Sequence, residues 1–170
     1  MENTELNNCY NNHLAIDNGI SKEEMLSRMT GSRIVLIRTH GTTTAIETST
    51  DSISTLTMTS LSSNAFYITD LIVYGACLTG QGRETGTNLV NSTCFAGVNT
   101  VIGFEKVVNS SEMNDWCLGF FESLSNGNTI INACTDADDY VESNWHSTNP
   151  YSSITTDSWY ISGSSNTVFS

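Results

Sequence analysis

Two stretches of the sequence place a reactive side chain directly after a run of apolar residues. "RIVLIRTHG" at 33–41 carries His40 followed by Gly41, and "DLIVYGAC" at 70–77 ends in Cys77. A thiolate is a strong nucleophile, and an imidazole exchanges protons close to neutral pH. If these two side chains lie together, they can carry out nucleophilic catalysis at a carbonyl carbon, with nearby backbone N–H groups stabilising the oxyanion.

The apolar runs before His40 and Cys77 are predicted to be buried strands. Continuous aliphatic residues, without the alternation of a half-exposed strand, are typical of parallel strands covered on both faces. Three such strands are predicted, at 33–37, 71–76 and 99–104. Helical patterns separate or follow them, at 21–30, near 86–96, from 109 to an Asn-Gly at 126–127, and at 129–141. This alternation predicts an α/β fold with a mostly parallel sheet flanked by helices.

The predicted sheet explains why the two reactive residues follow strands. In open parallel sheets, function lies at the carboxyl ends of the strands. His40 comes three residues after Ile37, and Cys77 directly follows Ala76. If their strands are neighbours, both side chains lie on the same rim of the sheet.

Weaker patterns predict the remaining elements. Residues 13–17 read as a short strand or an extended segment, and 158–162 as a last strand. Two runs with alternating polar and apolar residues within 42–58 predict a β-hairpin between the His-bearing and Cys-bearing strands. Ser21 with Glu24, and Asn109 with Glu112, have the spacing of helix capping boxes.

Length and composition indicate a single domain, residues 1–170, with residues 1–12 predicted to be a flexible tail. The net charge of −12 argues against a nucleic-acid partner, because a basic surface is missing. The 5 cysteines contain no CxxC pair, and no apolar run has the length of a membrane span. We therefore expect a cytoplasmic protein with reduced thiols and no membrane partner.

The paired motifs resemble those of a known class of enzyme. An apolar block ending in His-Gly, followed by one ending in Ala-Cys, resembles the signature of caspase-like (clan CD) cysteine peptidases. The downstream text "AGVNTVIGFEKVVNSSEMNDWCLGFFESLSNGNTIINACTDA" is similar to the CHAT-domain branch of that clan, and "DSWYISGSS" resembles its closing strand. The resemblance covers residues 30 to 163, with boundaries that are soft by several residues.

The resemblance implies peptide-bond hydrolysis by a His/Cys dyad. Cys77 would be the nucleophile, and His40 the general acid and base. The backbone N–H groups of Gly41 and Cys77 would form the oxyanion hole. The resemblance implies no cofactor and no metal, and the acids of "TDADDY" at 135–140 lack a metal-binding spacing on a helix.

The resemblance also suggests a substrate class and partners. In this clan a charged residue in a pocket near the sheet rim selects the residue before the scissile bond. Glu105 and Asp157 are the candidates, and either would favour Arg or Lys, so the expected reaction is endopeptidase cleavage after a basic residue. The expected partners are a protein or peptide substrate and a regulatory protein or domain, since CHAT domains often belong to larger, regulated proteins.

Two alternatives compete with the peptidase interpretation. The first is a caspase-like interaction module that has lost activity, in which Cys77 is an ordinary small apolar side chain. We assign that ordinary role to Cys94, Cys117 and Cys134. The second is a dinucleotide-binding domain, because "GQGRETG" at 80–86 follows a strand and precedes a helix, with Glu105 as the ribose-binding acid. That alternative explains neither His-Gly nor Ala-Cys.

Overall fold

The computed structural model describes residues 13–17, 19–146, 153–155 and 157–169, with the backbone alone for 13–17, 145 and 146. The tail predicted at 1–12 lies outside the described residues. Residues 13–17, predicted to be a short strand or an extended segment, form a strand.

A five-stranded sheet forms the centre of the fold, in the order β1-β2-β5-β6-β7. The first four strands are parallel, and β7 runs antiparallel to β6. The prediction of a mostly parallel sheet is therefore confirmed. The strands are β1 (His13–Asp17), β2 (Ile34–Arg38), β3 (Ala45–Glu47), β4 (Ser52–Ser54), β5 (Leu71–Gly75), β6 (Thr100–Phe104) and β7 (Trp159–Gly163).

Helices cover both faces of this sheet. The helices are α1 (Lys22–Thr30), α2 (Thr55–Ser60), α3 (Leu89–Phe95), α4 (Ser110–Ser125) and α5 (Ile130–Val141). None of the helices in the described part of the chain has both the length and the apolarity that a bilayer crossing requires.

The period of two along the central strands divides the core into two layers. Leu36 and Val73 pack toward α4 and α5, whereas Ile37 and Tyr74 pack toward α1, α2 and α3. Strands buried on both faces have no polar side to expose, which is why their sequences read as unbroken apolar runs. The same alternation determines on which face of the sheet the residues just beyond each strand end lie.

The predicted β-hairpin is present but shorter than expected. Strands β3 and β4 pair antiparallel, with Ile46 opposite Ile53. The second polar run was predicted to continue as a strand, yet Thr55–Ser60 is helix α2. The reason is a capping box: the Ser54 hydroxyl accepts from the Thr57 N–H, and the Thr57 hydroxyl accepts from the Ser54 N–H. These side-chain hydrogen bonds satisfy backbone N–H groups at the start of the helix. An alternating pattern of polar and apolar residues does not reveal such capping.

The capping box predicted at the start of α4 does not form. Asn109 is the N-cap and accepts from the Ser111 N–H, but Glu112 turns inward and is 1% exposed. Its carboxylate accepts hydrogen bonds from the N–H and hydroxyl of Ser153 and from the N–H of Ile154. Glu112 therefore fixes the segment before β7 against the first turn of α4.

A buried carboxylate joins α4, α5 and β7. Asp138 on α5 is 5% exposed and accepts from two indole N–H groups, that of Trp116 at 2.9 Å and that of Trp159 at 2.8 Å. Burial raises the pKa of Asp138 above its ordinary value, against the lowering effect of the two indole hydrogen bonds. The raised pKa means that the folded state binds this proton more tightly than the unfolded chain does.

We predict that Asp138→Asn lowers the free energy of unfolding by about 1–3 kcal/mol at acid pH, because the amide leaves one indole N–H without an acceptor. The stabilisation that the raised pKa confers is fully present below the unfolded value of 3.8 and is lost as pH rises through the folded pKa. The deficit of the variant, measured by urea unfolding, should therefore shrink as pH rises above 3.8. The exposed neighbour provides the control, Asp139→Asn, which should stay within about 0.5 kcal/mol of wild type. A deficit that grows with pH would contradict this account.

Candidate active site

The two predicted reactive residues follow neighbouring parallel strands. In the pairing of β2 with β5, Arg38 lies opposite Gly75. His40 and Cys77 each lie two residues beyond that pair, so they leave the sheet at the same level and continue the face that packs on α4. The cleft there has a volume of about 240 Å³. It is lined by Arg38, Thr39, His40, Gly75, Ala76, Cys77, Val108, Ser110 and Met113.

Gly41 lets the His-bearing loop lie directly against the Cys-bearing loop. A Cβ atom built on Gly41 would lie 2.8 Å from the Cys77 carbonyl oxygen and 2.9 Å from the Ala76 Cβ, closer than real Cβ atoms approach. Only glycine therefore permits this contact. The same close approach brings the backbone of Gly41 beside that of Cys77, the two residues predicted to supply the oxyanion hole.

The hairpin holds the His-bearing loop from the other side. Gly41 forms an isolated antiparallel bridge with Ile46. The His40 carbonyl accepts from the Glu47 N–H at 3.0 Å, and the Thr39 hydroxyl donates to the Glu47 carbonyl at 3.1 Å. The β3–β4 hairpin, which lies between β2 and β5 in the chain, thus positions the backbone of His40.

The Cys77 sulfur contacts the backbone at the start of α4. It accepts from the Val108 N–H at 3.4 Å and donates to the Val108 carbonyl at 3.7 Å. Cys77 is half-buried, and α4 begins two residues after Val108. The sulfur therefore lies beside the backbone segment that leads into α4.

The residue after Cys77 has a backbone conformation that side chains rarely adopt. Leu78 has φ 64°, and within the described residues it is the one non-glycine position with positive φ. Such conformations cost about 1–3 kcal/mol and persist where the surroundings determine them. Here the Leu78 N–H donates to the Lys106 carbonyl at 3.1 Å.

Buried Thr79 ties the turn after β5 to the end of β6. Its hydroxyl donates to the Ala76 carbonyl and accepts from the Phe104 N–H, both at 3.2 Å. The following Gly80 N–H donates to the Phe104 carbonyl at 2.9 Å. These bonds hold the turn that carries Cys77 to the core, so the thiol projects from a fixed backbone.

His40 is exposed and contributes to the lining of the cleft. Within the part of the chain that the structure describes, the hydrogen-bond partners of the Cys77 sulfur are the backbone groups of Val108 and not the imidazole. Catalytic hydrogen bonds are often long in an unliganded site and tighten when substrate binds. The structure thus brings both predicted dyad residues to one cleft without a direct bond between them.

The residues predicted to select the substrate lie outside the described lining of this cleft. The Glu105 carboxylate, 18% exposed, pairs with Arg83 across 3.5 Å, and Glu105 donates its N–H to the Ser158 carbonyl. Asp157 is exposed, in the turn before β7. Both lie near the end of β6, and their role in specificity stays a prediction.

Several residues of the cleft were not predicted from the sequence, among them Arg38, Val108, Ser110 and Met113. Arg38 had a detectable signal, because it lies two residues before His40 and so shares its strand face. The other three had none, because nothing in the sequence says that the first turn of α4 covers the ends of β2 and β5.

The remaining cysteines and glycines have structural surroundings. Cys117 and Cys134 are buried as predicted, whereas Cys94 is half-buried, so its prediction as a core residue was only partly right. Gly82 and Gly86 adopt left-handed conformations around a short 3-10 turn, and α3 begins only at Leu89. The glycines therefore do not lead directly into a helix, as a dinucleotide-binding turn does. No cluster of metal-ligating side chains occurs within the described ranges.

Comparison with known proteins identifies the fold. No protein-family model matches the sequence, and no curated protein matches it. Among solved structures, the Arg-specific cysteine proteinase gingipain R matches with a TM-score of 0.70 and 15% identity over 87% of this chain. A structure described as a protease matches with a TM-score of 0.66 and 14% identity over 84% of this chain. The chain spans 36% of the length of each of these neighbours.

These similarities establish that the chain has the caspase-like α/β fold of gingipain R. The expected fold class is therefore confirmed, and the neighbours are proteases. The similarity to the CHAT branch in particular stays a prediction.

We predict that Gly41→Ala lowers the free energy of unfolding by about 1–3 kcal/mol, because the new Cβ would overlap the Cys77 carbonyl and the Ala76 Cβ. Urea unfolding measures this loss. Gly31→Ala is the control, since Gly31 has φ −98° and its Cβ would meet a single atom closer than 3.4 Å, at 3.1 Å. It should stay within about 0.5 kcal/mol of wild type. Equal losses for both variants would contradict the proposed contact between the loops.

Proposed function

We propose that this protein is a cysteine endopeptidase that cleaves peptide bonds through His40 and Cys77. The observation that carries the proposal is the position of both side chains on one cleft, at the carboxyl ends of adjacent parallel strands. The caspase-like fold, shared with a cysteine proteinase, supports it. The fold alone does not determine activity, so the residues of the cleft carry the argument.

The proposed reaction begins at the thiol. His40 takes the proton of the thiol as the Cys77 sulfur attacks the scissile carbonyl carbon, and the S–C bond forms as the carbonyl π electrons move to oxygen. His40 gives a proton to the departing amine, the C–N bond breaks, and an acyl-enzyme remains. His40 then takes a proton from water, whose oxygen attacks the acyl carbon. The S–C bond breaks, the sulfur takes that proton back from His40, and the acid product leaves.

Backbone groups would support both charged species in this reaction. The Val108 N–H donates to the Cys77 sulfur and would remain beside it through the reaction. The oxyanion of each tetrahedral intermediate would bind the N–H groups of Gly41 and Cys77. The strained turn at Leu78, held by Thr79, would keep the Cys77 N–H in place without reorganisation during the reaction.

We further propose cleavage after Arg or Lys. The support is the net charge of −12 and the presence of Glu105 and Asp157 near the end of β6. The neighbour gingipain R is described as Arg-specific, which agrees with the proposal. A substrate cation would replace Arg83 as the partner of the Glu105 carboxylate.

A catalytically silent caspase-like module is the second candidate. It is favoured by the exposure of His40 and by a Cys77 sulfur whose hydrogen bonds go to Val108. In either case we expect a regulatory protein or domain as partner and a reducing compartment such as the cytoplasm. The 4 cysteines of the described residues are free thiols.

The dyad is tested by hydrolysis of fluorogenic peptides ending in Arg, Lys or Asp. We expect wild type to cleave, Cys77→Ala to be inactive, and His40→Gln to lose about 10²–10⁴-fold in kcat/KM. A peptidyl electrophile should label wild type and not Cys77→Ala. The control Cys94→Ala, which removes another half-buried thiol, should retain both activity and labelling. Absence of both labelling and hydrolysis in the wild-type protein would favour the silent module.

Glu105→Gln tests the basic preference. If the carboxylate binds the substrate cation, kcat/KM for Arg peptides should fall about tenfold or more, because hydrogen bonds to charged groups are worth about 1.5–3 kcal/mol. Hydrolysis of a peptide with a neutral residue at the same position should change little. An equal loss for both peptides would assign Glu105 a structural role. Glu84→Gln, on the exposed turn beside Arg83, is the matched control.

A further inference from the structure

One part of the helical layer on the sheet has no charged side chains. Helix α2, the segment 61–69 that follows it, and helix α3 contain no Asp, Glu, Lys, Arg or His. We call this surface, residues 55–69 and 89–95, the neutral face. The chain as a whole carries a net charge of −12, so the neutral face differs in charge from the rest of the molecule.

Three large apolar side chains are exposed on the neutral face. Leu56 on α2 is 77% exposed, Tyr67 is 83% exposed, and Phe95 at the end of α3 is 77% exposed. Single exposed apolar residues are common on protein surfaces. A group of them on one uncharged surface is typical of an interaction site.

Backbone contacts show that the neutral face is one continuous surface. The helices α2 and α3 begin side by side, because the Thr55 N–H donates to the Thr44 carbonyl and the Leu89 N–H donates to the adjacent Thr43 carbonyl. Farther along, the segment after α2 packs on the residues that follow α3. A Cβ atom built on Gly97 would lie 2.6 Å from the Ser63 carbonyl oxygen.

The opposite face of the sheet is acidic. Helices α4 and α5 contain no Lys or Arg, and their exposed acids include Glu122, Asp136 and Asp139. Two copies of the chain that meet through the neutral face keep these acidic helices on the two outer sides of the pair. Several packed layers, each roughly 8–10 Å thick, then separate the acidic helices of one copy from those of the other. That separation exceeds the Debye length of about 10 Å at 0.1 M salt, so the repulsion between them is screened.

The polar side chains of the neutral face are compatible with a second copy of themselves. Ser62, Ser63 and Asn64 are exposed around the apolar group. Hydroxyl and amide groups both donate and accept hydrogen bonds, so each can pair with the same group on another copy. Carboxylates or ammonium groups in these positions would repel their own copies across a two-fold axis.

We propose that the neutral face is the interface of a homodimer, in which a second copy of this chain covers Leu56, Tyr67 and Phe95 across a two-fold axis. Large aromatic side chains supply much of the affinity of such interfaces. The cleft that holds Cys77 lies beside the start of α4, which packs on the other face of the sheet, so the dimer leaves both clefts open. The inference is independent of the proposed peptidase function.

Analytical ultracentrifugation of the full chain over a series of concentrations tests the dimer. The mass should rise with concentration from 18.5 kDa toward twice that value. Phe95→Glu and Tyr67→Glu each remove an aromatic contact and place two like charges in the interface. Either should raise the dimer Kd about tenfold or more. All substituted sites are exposed, so the fold should be retained, and circular dichroism checks this. Leu56→Glu repeats the test from α2.

The matched control is Val168→Glu. Val168 is 50% exposed and lies outside the neutral face, so the variant adds the same charge without entering the interface. Its dimer Kd should equal that of wild type within about twofold, since surface substitutions away from an interface change little.

Salt dependence gives a second, independent measurement. An interface without charges between two acidic chains has repulsion to screen and no ion pairs to lose. The dimer should therefore tighten as sodium chloride rises from about 0.01 M to about 1 M, over which the Debye length falls from about 30 Å to about 3 Å.

Four results would overturn the inference. They are a wild-type protein that is monomeric up to about 1 mM, where even weak pairs associate, a dimer that survives all three substitutions in the neutral face, an equal loss of the dimer in Val168→Glu, and a dimer that weakens with salt.

Discussion

The candidate site depends on one contact, the approach of the Gly41 backbone to the Cys77 carbonyl and the Ala76 side chain. Parallel pairing of β2 with β5 brings the two loops to the same level, but it leaves the distance between them open. The missing side chain at Gly41 sets that distance. Once the loops touch, the ends of β2 and β5 and the start of α4 enclose a cleft around the thiol. The hairpin supports the His-bearing loop from outside this lining.

Two buried polar groups keep the surroundings of this contact in place. Thr79 connects the turn after Cys77 to the end of β6, and Glu112 connects the first turn of α4 to the segment before β7. Each is satisfied by hydrogen bonds inside the protein, which is the condition under which buried polar groups add rigidity. The strained backbone conformation of Leu78 persists because the surrounding residues hold it in place.

Much of this arrangement could be predicted from the sequence, for a physical reason. Strands buried on both faces give unbroken apolar runs, so the ends of β2 and β5 could be predicted directly from the sequence. The position of His40 and Cys77 at the same edge of the sheet follows from those ends. Helix α2 could not, because the hydrogen bonds between Ser54 and Thr57 outweighed an alternating pattern. The roles of Val108 and Glu112 also depend on how α4 docks, and that docking is a property of the tertiary fold.

The donor that faces the Cys77 sulfur belongs to the main chain of Val108. Nineteen of the twenty amino acids carry a backbone N–H, and only proline lacks it. The backbone donor at the sulfur is therefore kept by any residue at position 108 except proline, whereas the Val108 side chain itself packs against the core.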